Sequence, residues 1–473
     1  MMSVLIKNAE MVTMEDQRVV TGSLLIEGGK IKHIFPEGEL PDCCEAAEVI
    51  DAEGKLVIPG MTNAHYHSYS NLLKGTESRY PLEVWSLYTV AYGHSLSVED
   101  IHDAVLLGAA EMIRNGITGC IDHFPHFLKS EAALEAYQES KMHVAFAPML
   151  HDIPDHKFLQ IDFPDRIEQK LTASQPPTPE RMKHFYEGLI RRWHGKDERI
   201  HIMIGPNAPQ RCSREMLRLS RELSDLYALN VHTHLLETYL QRDYGMRTYK
   251  KGIIGHLDHA GLLNERLSTA HAVWLAPEEI DLLADRGVSI IHNPASNMIL
   301  GSGTAPIMTY TEKDIPVSLG TDASNCGTSH NLFEMMKLAL MMQRNNASEY
   351  HWWPTAHNML EMGITQGAAL LPGKRGKIKA GYQADLVFLD KNNPVWAAVN
   401  DVHEQLVFHE NGQSIESVMI KGKWVMRDRK ILSFNEDEVI DRVRRRSHHR
   451  LEKSTEALRF AEEQKPFFEA IYK

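Results

Sequence analysis

Residues 59–75 read PGMTNAHYHSYSNLLKG, and the fold turns on how His65 and His67 within it are read. They follow a short apolar run, KLVIPG, that closes on Pro59-Gly60. In a strand, side chains two apart share a face. Two imidazoles on one face at a strand end could hold one metal ion, for which histidine is a common ligand. They could equally be two unrelated polar residues in a loop. The pair alone does not decide between these; the rest of the chain does.

Upstream, SVLIKNAEMVTM, GSLLIEGGKIKHIF and EVIDAEGKLVIPG are strand-like runs separated by the turn signals Glu27-Gly28-Gly29-Lys30 and Glu53-Gly54-Lys55. They predict a small antiparallel β domain over residues 1–58. From about residue 60 the rhythm changes. Ser97-Val98-Glu99-Asp100 is a capping-box start for a helix that Gly116 closes after Asn115, and the strand-like GITGCIDH follows. Pro277-Glu278-Glu279 starts another helix, Gly287 ends it, and VSIIHNP and DIPVSLGTDAS read as further strands. Strands alternating with helices imply right-handed βαβ units and a parallel sheet. This assigns 59–370 to a barrel. The first rhythm returns in GKIKAGYQADLVFLD and ESVMIKGKWVMRDRKIL, so residues 371–435 are expected to complete a β-sandwich with the N-terminal strands. Residues 436–473 read as a charged terminal helix. The expected class is α/β: a (β/α)8 TIM-type barrel inserted into a composite β-sandwich built from both chain ends.

The ends of the predicted barrel strands carry the chemistry. One closes on His65-Tyr66-His67, LNVHTHLLET carries His232 and His234 with Glu237 beyond them, LSTAHAVWL carries His271, VSIIHNPASN carries His292, and IPVSLGTDAS ends in Asp322. Active sites of such barrels lie at the C-terminal strand ends. Each residue has a plainer reading. His271 could be a satisfied core histidine, Asp322 a helix N-cap, and Glu237 a first-turn carboxylate favoured by the helix dipole. Their convergence on one rim favours a site. Three imidazoles and a carboxylate suit zinc, iron or manganese and leave room for a water made acidic by the metal. Carboxylates and a histidine beside it would move the protons.

With these residues in view, PGMTNAHYH, HTHLLE, STAHAVWL, HNPASN, LGTDAS and GKIKAGYQADLVFLD resemble the amidohydrolase superfamily. The resemblance runs from about residue 3 to 430. It is strongest to the branch of triazine hydrolases, guanine deaminase and S-adenosylhomocysteine/methylthioadenosine deaminases. It implies a distorted (β/α)8 barrel, assembly as a dimer or larger, and one divalent metal, zinc or else iron or manganese, on His65, His67, His234 and Asp322. Glu237 would then protonate a ring nitrogen, His271 would hydrogen-bond hydroxide on the metal, Asp322 would take a proton from water, and His292 would lie near the substrate or leaving group. His232 reads as a support behind the metal ligands or as core, and Asn63 as orienting its segment or a ligand. Trp85, Tyr88, Gln210, Trp274 and Asn297 are candidates for the substrate pocket. RIHIMIGPNAPQRCS lacks the strand-end lysine of two-metal members, which supports one metal, and ASNCGTSHN lacks the glycine-rich run usual after the last aspartate in adenosine-type deaminases. The implied activity is hydrolytic deamination of a purine, pteridine, pyrimidine or triazine. Opening of a cyclic amide, displacement of another leaving group, and a non-catalytic scaffold are the alternatives.

Composition narrows the partners. A net charge of −12 disfavours nucleic acid and anionic membranes. The basic run around Arg442, Arg444, Arg445 and Arg446 is flanked by acids and reads as a salt-bridged helix. No run of about 18 apolar residues predicts a membrane span, and MMSVLIKNAEMVTMEDQ has no signal-peptide pattern. Five irregularly spaced cysteines, none in a C-x-x-C pair, predict free thiols, Cys43 and Cys44 included, and a cytoplasmic enzyme of small heterocycles.

Overall fold

The structure is a computed structural model that describes residues 3–40, 46–172, 176–346 and 349–473. β1 (Ser3–Val12), β2 (Val19–Glu27) and β3 (Lys30–Pro36) form an antiparallel meander. The β2–β3 turn is Gly28-Gly29, with φ of 59° and 80°, the left-handed geometry that a two-residue hairpin demands. β4 (Glu48–Asp51) and β5 (Lys55–Pro59) then lie in tandem along β1, both parallel to it. The sheet is therefore mixed, not antiparallel as expected: the ten-residue β1 is long enough to take two short strands along one edge.

The chain next enters a run of parallel strands. β6 (Met61–Tyr66), β7 (Ile117–Phe124), β8 (His143–Leu150), β9 (Ile200–Ile202) and β10 (Gly205–Pro206) make one sheet, in which β9 and β10 both pair with β8. β11 (Val231–Leu235), β12 (Leu267–His271), β13 (Ser289–His292) and β14 (Val317–Leu319) make another. One parallel bridge joins the two sheets at each seam, Ile204 to Val231 and Tyr66 to Asp322. β7 and β8 are buried along their whole length, as strands covered on both faces must be.

β15 (Leu386–Asp390), β16 (Ile415–Ile420), β17 (Lys423–Arg427) and β18 (Lys430–Ile431) return to the first sheet, where β15 pairs antiparallel with β5. Both chain ends thus build one nine-stranded sheet. It has its own apolar core, including Val4, Ile6, Leu24, Ile26 and Val57 from one end and Leu386, Phe388 and Met419 from the other.

Two helices position the site. α1 (Leu82–His94) follows the loop after β6, and α2 (Val98–Arg114) starts as expected: Ser97 Oγ accepts from Asp100 N, and Asp100 Oδ2 accepts from Ser97 N. The terminal helix Glu436–Ala470 packs across both, burying Ala461 and Phe468 against Val84, Tyr88 and Ala91 of α1. Arg442 and Arg446 of the basic run pair with Asp103 and Asp100 of α2, so the acids that neutralise it come mainly from a distant helix. Cys120, Cys212 and Cys326 are free and buried; Cys43 and Cys44 lie outside the described residues. Among the described residues no helix is long and apolar enough to cross a membrane.

Candidate metal centre and active site

The predicted ligands meet. Asp322 Oδ1 lies 3.2 Å from His67 Nε2 and 3.6 Å from His65 Nε2, and His234 Nε2 is 3.4 Å from His67 Nε2. His65, from β6, has no exposed surface, and its Nε2 has no hydrogen-bond partner.

The outer nitrogen of each imidazole is occupied. His67 Nδ1 faces the His123 carbonyl at 2.5 Å, His234 Nδ1 faces the Asn207 carbonyl at 2.7 Å, and His65 Nδ1 meets His232 Nε2 at 2.8 Å. His232 is held in turn by Ser268 Oγ at 2.9 Å. A carbonyl accepts only from N–H, so at His67 and His234 the proton sits on Nδ1 and Nε2 keeps its lone pair. This is how proteins commonly orient metal-bound histidines. Burial pushes His65 down to about 4 and His234 well below its ordinary value, keeping both neutral. Burial also opposes charge on His67, but the adjacent Asp322 outweighs it and raises that imidazole. Three lone pairs and one carboxylate around one point are a donor set that fits a divalent cation.

Asp322 is fixed from the backbone outward. Thr321 N donates to Asn63 Oδ1 at 3.0 Å, Asn63 Nδ2 donates to Thr321 Oγ1 at 2.7 Å, and Asp322 N donates to the His65 carbonyl at 3.0 Å. Asn63 thus orients the segment carrying a predicted ligand. Gly320 just before it has no room for a side chain, because a Cβ would lie 2.8 Å from His65 Cβ. Asp322 and His271 both adopt left-handed backbone, with φ of 61° and 76°, which costs of order 1–3 kcal/mol each and clusters at functional sites.

Beside this cluster lies a cavity of about 120 Å³ lined by His67, His234, Glu237, His271 and Asp322, with Trp85 and Gln210 among its other walls. Glu237 Oε2 is 3.5 Å from His271 Nε2, which is 3.7 Å from Asp322 Oδ2. His271 Nδ1 is tethered to Asn297 Oδ1 at 2.9 Å. Burial raises the Glu237 carboxyl; His271 opposes this, while Asp322 and Glu83 add to it. Glu83 is itself buried between Thr238 Oγ1 and Tyr472 OH, the latter from beyond the terminal helix.

Trp85 and Gln210 line the cavity as expected. The other substrate candidates do not. Tyr88 donates to Glu462 on the terminal helix, Trp274 donates to the Ser302 carbonyl at 2.8 Å, and Asn297 holds His271 from behind. His292 is fully buried with both ring nitrogens unpartnered, outside the cavity lining. Sequence reasoning missed His123 and Asn207, whose main-chain carbonyls hold the imidazoles of two predicted ligands, His67 and His234. It also missed His330, which ties Thr321 to Asn71 and Ser324. His123 at the end of GITGCIDHF was the one visible signal.

Comparison with known proteins gives the family of the chain. The model of the amidohydrolase family matches residues 56–425. The 5'-deoxyadenosine deaminase of Methanosarcina mazei is 31% identical over 450 residues, 94% of this chain and 98% of that protein. The 5-methylthioadenosine/S-adenosylhomocysteine deaminase of Thermococcus onnurineus is 32% identical over 434 residues, 91% and 95% of the two chains. A zinc-bound adenosine deaminase from Xanthomonas campestris shares the fold with a TM-score of 0.86 at 23% identity, covering 95% of this chain and 98% of that one. By its matched domain, its relatives and its fold, the chain belongs to the amidohydrolase family.

Proposed function

We propose that the chain is a metal-dependent aminohydrolase that replaces the amino group on a ring carbon of a nitrogen heterocycle with oxygen, adenine-type compounds foremost. The observation that carries this is Glu237, buried and raised, sharing one cavity with the converging imidazoles and Asp322. Relatives named as deaminases of 5'-deoxyadenosine and of methylthioadenosine support it.

His65, His67, His234 and Asp322 would hold one divalent ion, zinc by preference over iron or manganese for such a nitrogen-rich set. When bound, the ion supplies Lewis acidity that brings the pKa of water toward neutrality. The protein's own groups then move the protons. Asp322 accepts one from the attacking water through its outer oxygen. Glu237 delivers one to the ring nitrogen beside the reacting carbon, regains one from the newly added hydroxyl and passes it to the departing amine, and is restored by the proton that Asp322 took. His271, tethered by Asn297, presents Nε2 to both carboxylates and steadies the charge passing between them. The ring gains a carbonyl, keeps the added proton on its nitrogen and loses NH3.

The same reading extends to architecture. The paired seam bridges support a closed eight-stranded barrel over 59–370. The separate apolar core shared by both chain ends supports a composite β-sandwich of 1–58 and 371–435, with 436–473 as a helical tail. A cytoplasmic location fits the few, buried, free thiols described, and a dimer or larger assembly completes the proposal. The test is purified protein of measured metal content, assayed for ammonia release against amino-substituted purines, pteridines, pyrimidines and triazines. Release from a purine supports the reading. Ring opening, or no turnover by metal-loaded protein, refutes it.

A further inference from the structure

We infer that Gln210 sets substrate specificity by accepting a hydrogen bond from the substrate. The inference deepens the deaminase reading and rests on it. Gln210 sits in the tight turn Pro209–Arg211 just after β10, is 1% exposed, and lines the cavity that holds Glu237, His271 and Asp322. Its Oε1 is buried with no hydrogen-bond partner. A buried amide oxygen left unpaired is costly. The other amides of the lining are already engaged: Gln241 Oε1 accepts from Glu237 N at 2.9 Å, and Asn207 Oδ1 accepts from Arg211 Nη1 at 3.0 Å.

The turn is held on both sides. Arg211 Nη2 donates to Asp155 Oδ2 at 2.7 Å, and the Asn207 carbonyl is fixed to His234 Nδ1. The backbone that carries Gln210 is therefore fixed beside the cavity, and its Oε1 has no donor among the described residues. Two donors of an adenine-type substrate lie away from the reacting amine: a ring N–H, as in a free base, and a sugar hydroxyl, as in a nucleoside. A substrate offering neither at that place leaves the oxygen unpaired and is rejected, as sites built to read a polar group reject analogues that lack it.

The experiment uses zinc-loaded full-length protein and matched compounds. One arm compares adenine with 9-methyladenine. The other compares 5'-deoxyadenosine with 2',5'-dideoxyadenosine and 3',5'-dideoxyadenosine. In the wild type one arm is expected to show a gap of about 10–100-fold in kcat/KM, the cost of leaving one buried acceptor unpaired. Which arm shows it identifies the donor. Gln210→Met removes the acceptor at similar length and should close that gap to within about threefold, by slowing the better substrate. Gln210→Glu keeps an oxygen there and should preserve the gap. Metal content and thermal unfolding of both variants show whether each is folded. If Gln210→Met does not fold, loss of the gap in Gln210→Glu overturns the inference and its persistence supports it. No gap in either arm of the wild type, or an unchanged gap in Gln210→Met, overturns it as well. Absence of ammonia release from every compound by wild type overturns the deaminase reading, and this inference with it.

Discussion

Changing Glu237 to Gln separates metal binding from proton transfer. The side chain keeps its shape, so Ser302 Oγ, 3.4 Å from Oε1, still has an oxygen to face. What is lost is the acid. Proton transfer by a positioned group is worth ~10²–10⁴-fold. Glu237 and Asp322 are the only carboxylates lining the cavity among the described residues, and Asp322 is committed to the imidazole cluster. No second acid can stand in, so the loss should fall in the upper part of that range, ~10³–10⁴ in kcat, or roughly 4–5.5 kcal/mol of barrier. Metal content should stay at the wild-type value, because Glu237 belongs to none of the clustered ligand groups. Asp322→Asn should instead lose both rate and metal, since a charged ligand becomes a neutral amide. Steady-state ammonia release and elemental analysis of the same dialysed samples decide it. Near-full turnover in Glu237→Gln, or metal loss equal to that of Asp322→Asn, refutes the division of labour.

Elemental analysis of wild type should give about one divalent ion per chain; two would show that a second site exists beyond His65, His67, His234 and Asp322. His232→Ala leaves His65 Nδ1 without its partner and should weaken metal binding ~10–100-fold in chelator competition, with rate restored by added metal. Burial alone would raise the Asp103 carboxyl, but hydrogen bonds from His102, Arg442 and Arg446 hold it well below the usual range. Its contribution is therefore present above about pH 4 and lost as pH falls toward the depressed folded value. Asp103→Asn should cost about 1.5–3 kcal/mol at pH 7, and its Tm deficit should narrow progressively below pH 4; a deficit constant with pH would refute this.

The proposed ligands and proton-transfer residues were legible because each sits at or just beyond the end of a strand in a recognisable βα rhythm, a local signal. The parallel pairing of β4 and β5 with β1 was not, because strand partners are chosen across the chain. Tyr88 lies one helical turn beyond Trp85 on α1, yet only Trp85 reaches the cavity. Tyr88 turns to Glu462, whose position is fixed by the docking of the terminal helix. His123 and Asn207 act through main-chain carbonyls, a group every residue has, so side-chain identity could not mark them.

The pairing of Val57 with Phe388 governs how the polypeptide can be made. When β5 leaves the ribosome, its partner β15 has not been synthesised. At ~5–20 residues per second the wait is on the order of 15–65 s. Throughout that interval the edge of β5 that β15 will cover stays open, and open edges recruit other strands. A nascent chain stalled anywhere before Leu386 therefore carries an unfinished sheet, however well its barrel strands have already assembled, and quality control would meet this protein first at its amino-terminal end.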